Sequence, residues 1–99
     1  MIRVVAVITC KAGRREELIN AFRANVPAVL AEAGCIEYQG VVDLEASSAK
    51  YGPDVFVVIE TWESLDALKA HAAAPHMAAY GAKTKDLIAD RAIHILSPV

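Results

Sequence analysis

The spacing of apolar residues changes several times along this chain, and each change marks an element. Ile2–Cys10 is rich in Val and Ile, with Val4, Ala6, Ile8 and Cys10 in one alternating set and Val5 and Val7 in the other. Both sets are apolar, so the segment predicts a strand covered on both faces. Residues 11–13 read as a turn, with Gly13 available as a helix cap. Over residues 14–33 the spacing lengthens to three and four: Leu18, Phe22, Val26, Val29 and Leu30 make one stripe, while Arg15, Glu16, Arg23 and Glu32 fall mostly elsewhere on the cylinder. Pro27 predicts a kink in this helix, because it lacks an N–H and crowds the carbonyl of Arg23. Gly34 is suited to end it.

Residues 35–44 predict a second, more polar strand, and 46–53, with two serines, a glycine and a proline, predict a loop that is long for a hairpin. Residues 55–59 read as a third strand. Alternation then puts Phe56, Val58, Glu60 and Trp62 on one side and Val57, Ile59 and Thr61 on the other. Ser64 is placed to cap a helix that carries Leu68 and His71 on one face. Pro75 suits the first position of another, lined by Met77, Tyr80, Gly81, Thr84, Leu87 and Ile88. A last strand covers 91–96, stopped by Pro98.

The order strand, helix, strand, strand, helix pair, strand is that of a ferredoxin-like split βαβ sandwich: an α+β fold with a four-stranded antiparallel sheet and helices on one face. All of residues 1–99 fit one such domain. The first and third strands are apolar on both sides, and the helices cover only one. The other sheet face therefore predicts a homodimer, sheet against sheet. Composition agrees: the hydrophobic fraction is 56% and the charged fraction 22%, against roughly 45–50% apolar in an ordinary soluble domain. A net charge of -2 with no basic cluster argues against nucleic acid and anionic membranes. No apolar run is long enough to span a bilayer, and no signal peptide is evident, so a cytoplasmic protein is expected.

The candidate chemistry is sparse. If the side of the third strand that carries Glu60 faces the helices, its carboxylate lies in an apolar crevice under the helix of His71, and the two are expected to pair as acid and base. His71 and His76 are five apart with Pro75 between them, which breaks helical metal-site spacing, so no metal is expected. Cys10 and Cys35 lack any metal or disulfide pattern. Nucleophile motifs and glycine-rich phosphate loops are absent. Trp62, Phe22, Met77 and Tyr80 read as core residues that also suit the walls of a pocket for an aromatic ligand.

The segments Glu32-Ala33-Gly34-Cys35 with Tyr38, Glu60-Thr61-Trp62, Leu68-Lys69-Ala70-His71 and Ala74-Pro75-His76 with Tyr80 together resemble the antibiotic biosynthesis monooxygenase superfamily. The resemblance implies a dimeric α+β barrel with a pocket between sheet and helices. It implies oxidation of a quinol, anthrone or similar aromatic phenol by O₂, with no metal, flavin or other cofactor. It assigns His71 as base or proton shuttle, Glu60 as its partner, Trp62 and Tyr80 as pocket neighbours, and His76 to capping or support. A haem-degrading branch is similar in outline, but the position of its iron-ligating histidine holds Gly81 here, and His71 stands where it has a tryptophan. Another branch isomerises a phosphorylated quorum-signal breakdown product; Lys69, Lys83 and Lys85 are the nearest cations for such a phosphate. A non-catalytic dimeric domain that binds a metabolite is the remaining alternative.

Overall fold

A computed structural model describes residues 1–99. Strand β1 (Ile2–Cys10) leads into helix α1 (Arg15–Leu30). Then follow β2 (Cys35–Val41), β3 (Val55–Trp62), α2 (Leu65–Ala73), α3 (Pro75–Thr84), a short 3₁₀ turn (Lys85–Leu87) and β4 (Ile88–Leu96). The sheet is antiparallel in the order β2-β3-β1-β4. This is the expected ferredoxin-like arrangement.

Register explains where the core lies. Tyr38 of β2, Glu60 of β3, Val4 of β1 and Ile95 of β4 are cross-strand partners in one row, and Gly40, Val58, Ala6 and Ile93 form the next. Their side chains share the face on which α1 packs, and Val4, Ala6, Ile8, Tyr38, Phe56, Val58 and Trp62 join Leu18, Phe22 and Val29 in one apolar cluster. Phe22 stacks on Tyr38 at 5.3 Å and meets Phe56 edge-on at 5.4 Å, contacts that contribute about 0.5–1.5 kcal/mol each beyond burial. Gly40 is required beneath them. A Cβ there would stand 2.9 Å from Cε2 of Phe22, so a side chain in this row would push the ring out of the core.

Several boundaries differ from the sequence reading. The β4 strand begins at Ile88, so Leu87 and Ile88 do not continue the stripe of α3. Strand β2 stops at Val41. Helix α1 keeps Pro27 but ends at Leu30, with Arg14 rather than Gly13 at its N-cap, and Leu30 is exposed. Gly13 and Gly34 both hold positive φ, 75° and 83°, the conformation that favours glycine. The 46–53 loop is tied down at the sheet's end. Asp43 accepts the N–H groups of Tyr51 and Gly52 at 3.0 and 2.9 Å, and Arg15 donates to the carbonyl of Val55 at 3.1 Å. Two N–H donors hold the Asp43 carboxyl below its usual range.

The opposite sheet face carries no helix. Its residues include Val5, Val7, Val57, Ile59, Val41 and Leu96, the last two exposed. No helix of the chain is long and apolar enough to cross a membrane.

Candidate active site

A cavity of about 380 Å³ opens between the sheet and helices α2 and α3, and 14 of its 19 lining residues are hydrophobic. That volume falls in the range of roughly 300–1,000 Å³ usual for small-molecule sites. Its floor is the two sheet rows described above, Gly40 apart, with Phe56 and Ile8 beyond them; Leu68, Met77 and Tyr80 close it from the helices. The polar groups on its wall are few: Glu60, His71, Thr84, Arg91 and the phenols of Tyr38 and Tyr80. Thr84 is already engaged, donating to the carbonyl of Tyr80 at 2.8 Å.

His71 is 6% exposed, in the last turn of α2. Its ring lies 4.6 Å from that of Trp62 and 5.6 Å from that of Tyr38. Its hydrogen bond goes to Glu32: Nδ1 meets Oε2 at 2.8 Å. The same oxygen meets Nε2 of His76 at 2.9 Å. An ionised carboxylate only accepts, so with Glu32 ionised the two nitrogens that face it are the donors, and in the neutral tautomer of His71 that does so Nε2 is the acceptor.

The expected His71–Glu60 hydrogen bond is therefore not the one formed. Glu60 instead accepts from Nε1 of Trp62 at 2.8 Å, while its carboxylate still lines the cavity. Burial pushes the Glu60 carboxyl up, opposed by the Trp62 hydrogen bond and by the nearby His71. Burial also raises both phenols, Tyr38 strongly and Tyr80 to about 12, so each remains a proton donor near neutral pH.

Of the residues singled out in the sequence, His71, Glu60, Phe22, Met77 and Tyr80 line the cavity. Trp62 does not. It is fully buried behind the wall, holding Glu60 by its indole N–H and backing His71. His76 is off the wall too and braces Glu32 from the start of α3. Lys69, Lys83 and Lys85 are absent from the lining, where Arg91 is the single Lys or Arg. Sequence periodicity missed Glu32 because it was placed on a helix. The helix ends before it, and the turn through Gly34 swings the carboxylate back toward α2. The two histidines meet for a related reason. Ala74 between α2 and α3 is extended, φ -65° and ψ 141°, so their spacing is read across a corner rather than along one helix.

Residues 1–83 match the family model described as antibiotic biosynthesis monooxygenase. The chain belongs to this family. Among its relatives in the antibiotic biosynthesis monooxygenase family, the Escherichia coli K12 protein named "Probable quinol monooxygenase YgiN" is 39% identical, over 99% of this chain and 98% of that protein. The solved structure of PA3566 from Pseudomonas aeruginosa is similar with a TM-score of 0.83 and 28% identity, covering 99% of this chain and 93% of that one. Rv0793 from Mycobacterium tuberculosis shares the fold at the same TM-score of 0.83, with 24% identity over 99% of this chain and 94% of its own.

Proposed function

We propose that this protein is a monooxygenase that oxidises a quinol, anthrone or similar aromatic phenol with O₂, and that His71 is its base. The observation that carries the reading is the Glu32–His71 hydrogen bond beside an apolar cavity. Fixing Nδ1 as the donor leaves Nε2 as the basic nitrogen of a residue on the cavity wall.

The chemistry fits so few polar groups. Ground-state O₂ is a triplet and reacts slowly with closed-shell molecules, yet an electron-rich phenolate or carbanion passes it one electron directly. His71 takes the substrate proton. The anion gives an electron to O₂, the resulting radical pair joins as a peroxide anion that takes the proton back from His71, and loss of water from that hydroperoxide leaves the new carbonyl. One O₂ thus supplies one oxygen atom to product and one to water, the substrate gives up all four electrons that reduce it, and the scheme calls on no flavin or metal. Tyr38 and Tyr80, held protonated by burial, are donors for the developing anion. Glu60, raised by burial, is the second proton-transfer group on the wall.

The helix-free sheet face supports a homodimer in the same reading, since a second copy laid sheet to sheet covers Val5, Val7, Val41, Ile59 and Leu96. Light scattering on the purified protein tests this directly. The activity is tested by oxygen uptake with chelator-treated protein against hydroquinones and anthrones. Saturable uptake above autoxidation is expected. Its absence with every substrate would move the weight to a binding protein or to the isomerase.

A further inference from the structure

The Glu32, His71 and His76 cluster presents more than one base and its partner. Three donor atoms, Oε2 of Glu32, Nδ1 of His71 and Nε2 of His76, lie within 4.8 Å of one another. They come from three segments whose backbones are fixed independently. Glu32 follows the end of α1, its N–H bonded to the carbonyl of Val29 at 3.0 Å. His71 sits in the last turn of α2, its carbonyl accepting from Ala74 at 3.1 Å. His76 stands next to Pro75 in the first turn of α3. The cluster is graded in access: the His71 side chain is 7% exposed, Glu32 13% and His76 29%.

We propose that these three residues form a binding site for a divalent first-row transition ion of the zinc class. Two imidazoles and one carboxylate are the donor set that such ions take, and three protein ligands leave at least one position open. Bond lengths of about 2.0–2.2 Å put ligand atoms on one ion roughly 3–4 Å apart, close to the separations already present. Glu32 Oε2 stands 2.8 and 2.9 Å from the two nitrogens, closer than two ligands of one ion, so the carboxylate has to draw back to admit it. Entry is from the His76 side, where the cluster is least covered.

Occupancy has a consequence for the ring that faces the cavity. The ion takes the lone pairs of His71 Nδ1 and His76 Nε2, the protons on those two nitrogens leave to solvent, and each ring takes one up on its other nitrogen, so both neutral rings keep their charge and change their tautomer. Nε2 of His71 then donates instead of accepting. A bound ion therefore turns the base off, which makes the site inhibitory under the oxygenase reading, while the binding itself is read without any turnover.

The test uses full-length, chelator-treated protein. Co²⁺ is titrated in while its visible d–d band is followed, and Zn²⁺ is added to ¹⁵N-histidine-labelled protein. The expected result is a saturable band at one ion per chain, weakened about tenfold or more in His76→Ala, with Zn²⁺ moving the His71 Nδ1 and His76 Nε2 signals and sparing His94. No band in the wild type would overturn the site, as would a band indifferent to His76→Ala, or shifts confined to His94. The nitrogen spectra need no variant, so a poorly folded substitution does not blur the outcome.

Discussion

His71 donates from Nδ1 to Oε2 of Glu32 at 2.8 Å, and that bond decides which nitrogen of the ring is free for chemistry. Removing the ring and removing its anchor therefore have different signatures. His71→Ala is expected to lower kcat/KM about 10²–10⁴-fold, the usual contribution of a general base. Glu32→Ala, which leaves the base but frees its tautomer, is expected to lower kcat about 10–100-fold with KM within about threefold. Oxygen-uptake kinetics separate the two. A Glu32 variant that loses affinity instead of turnover would place the carboxylate in substrate binding.

Glu60 gives a pH-dependent prediction. Burial raises its carboxyl, so the fold favours the protonated form. That contribution to stability is fully present below the unfolded value, near 4.3, and is lost as pH rises through the higher folded value. Glu60→Gln can still accept from the Trp62 indole but cannot ionise. Its melting temperature relative to wild type is expected to climb as pH rises from about 4. An offset that stays constant with pH would contradict a raised carboxyl.

Gly34 and Gly13 share a backbone conformation but not an environment. A Cβ on Gly34 would stand 2.7 Å from that of Ala67, whereas one on Gly13 meets nothing within 4 Å. Gly13→Ala is expected to cost about 1 kcal/mol from conformation alone, and Gly34→Ala roughly 2 kcal/mol or more. Urea denaturation measures both. Equal losses would mean that the turn carrying Glu32 toward α2 has room to yield.

Arg91 is the cavity's only Lys or Arg, on the β4 wall opposite Ile8. Substrates that bear a sulfonate or phosphate are expected to lose about tenfold in KM on Arg91→Ala. Lys69→Ala, Lys83→Ala and Lys85→Ala are expected to leave KM unchanged. The reverse pattern, read from KM for paired neutral and sulfonated hydroquinones, would relocate the anion's contact to the helices.

Much of the fold was legible because it rests on local period. The alternation through Val4, Ala6 and Ile8 and through Phe56, Val58 and Glu60 sorted the residues of β1 and β3 into two faces without reference to their partners, and burial in the folded chain makes these the inward rows. Ser64 capped α2 as its position implied, accepting from Ala67 N–H at 3.1 Å. Period failed where the chain turns. Glu32 lies past the end of α1, and His76 lies across an extended residue from His71, so no helical spacing relates the three. Trp62 was legible as buried but not as a residue behind the cavity, because depth depends on what Glu60 and His71 place in front of it.

The most direct test of His71 as the base is an anaerobic titration of wild type and His71→Ala with an anthrone or hydroquinone, followed by absorption. Without O₂ the reaction stops after proton transfer. Wild type is expected to show the red-shifted band of the bound anion and the variant only the neutral substrate. An anion band of equal strength in both proteins would show that another group takes the proton.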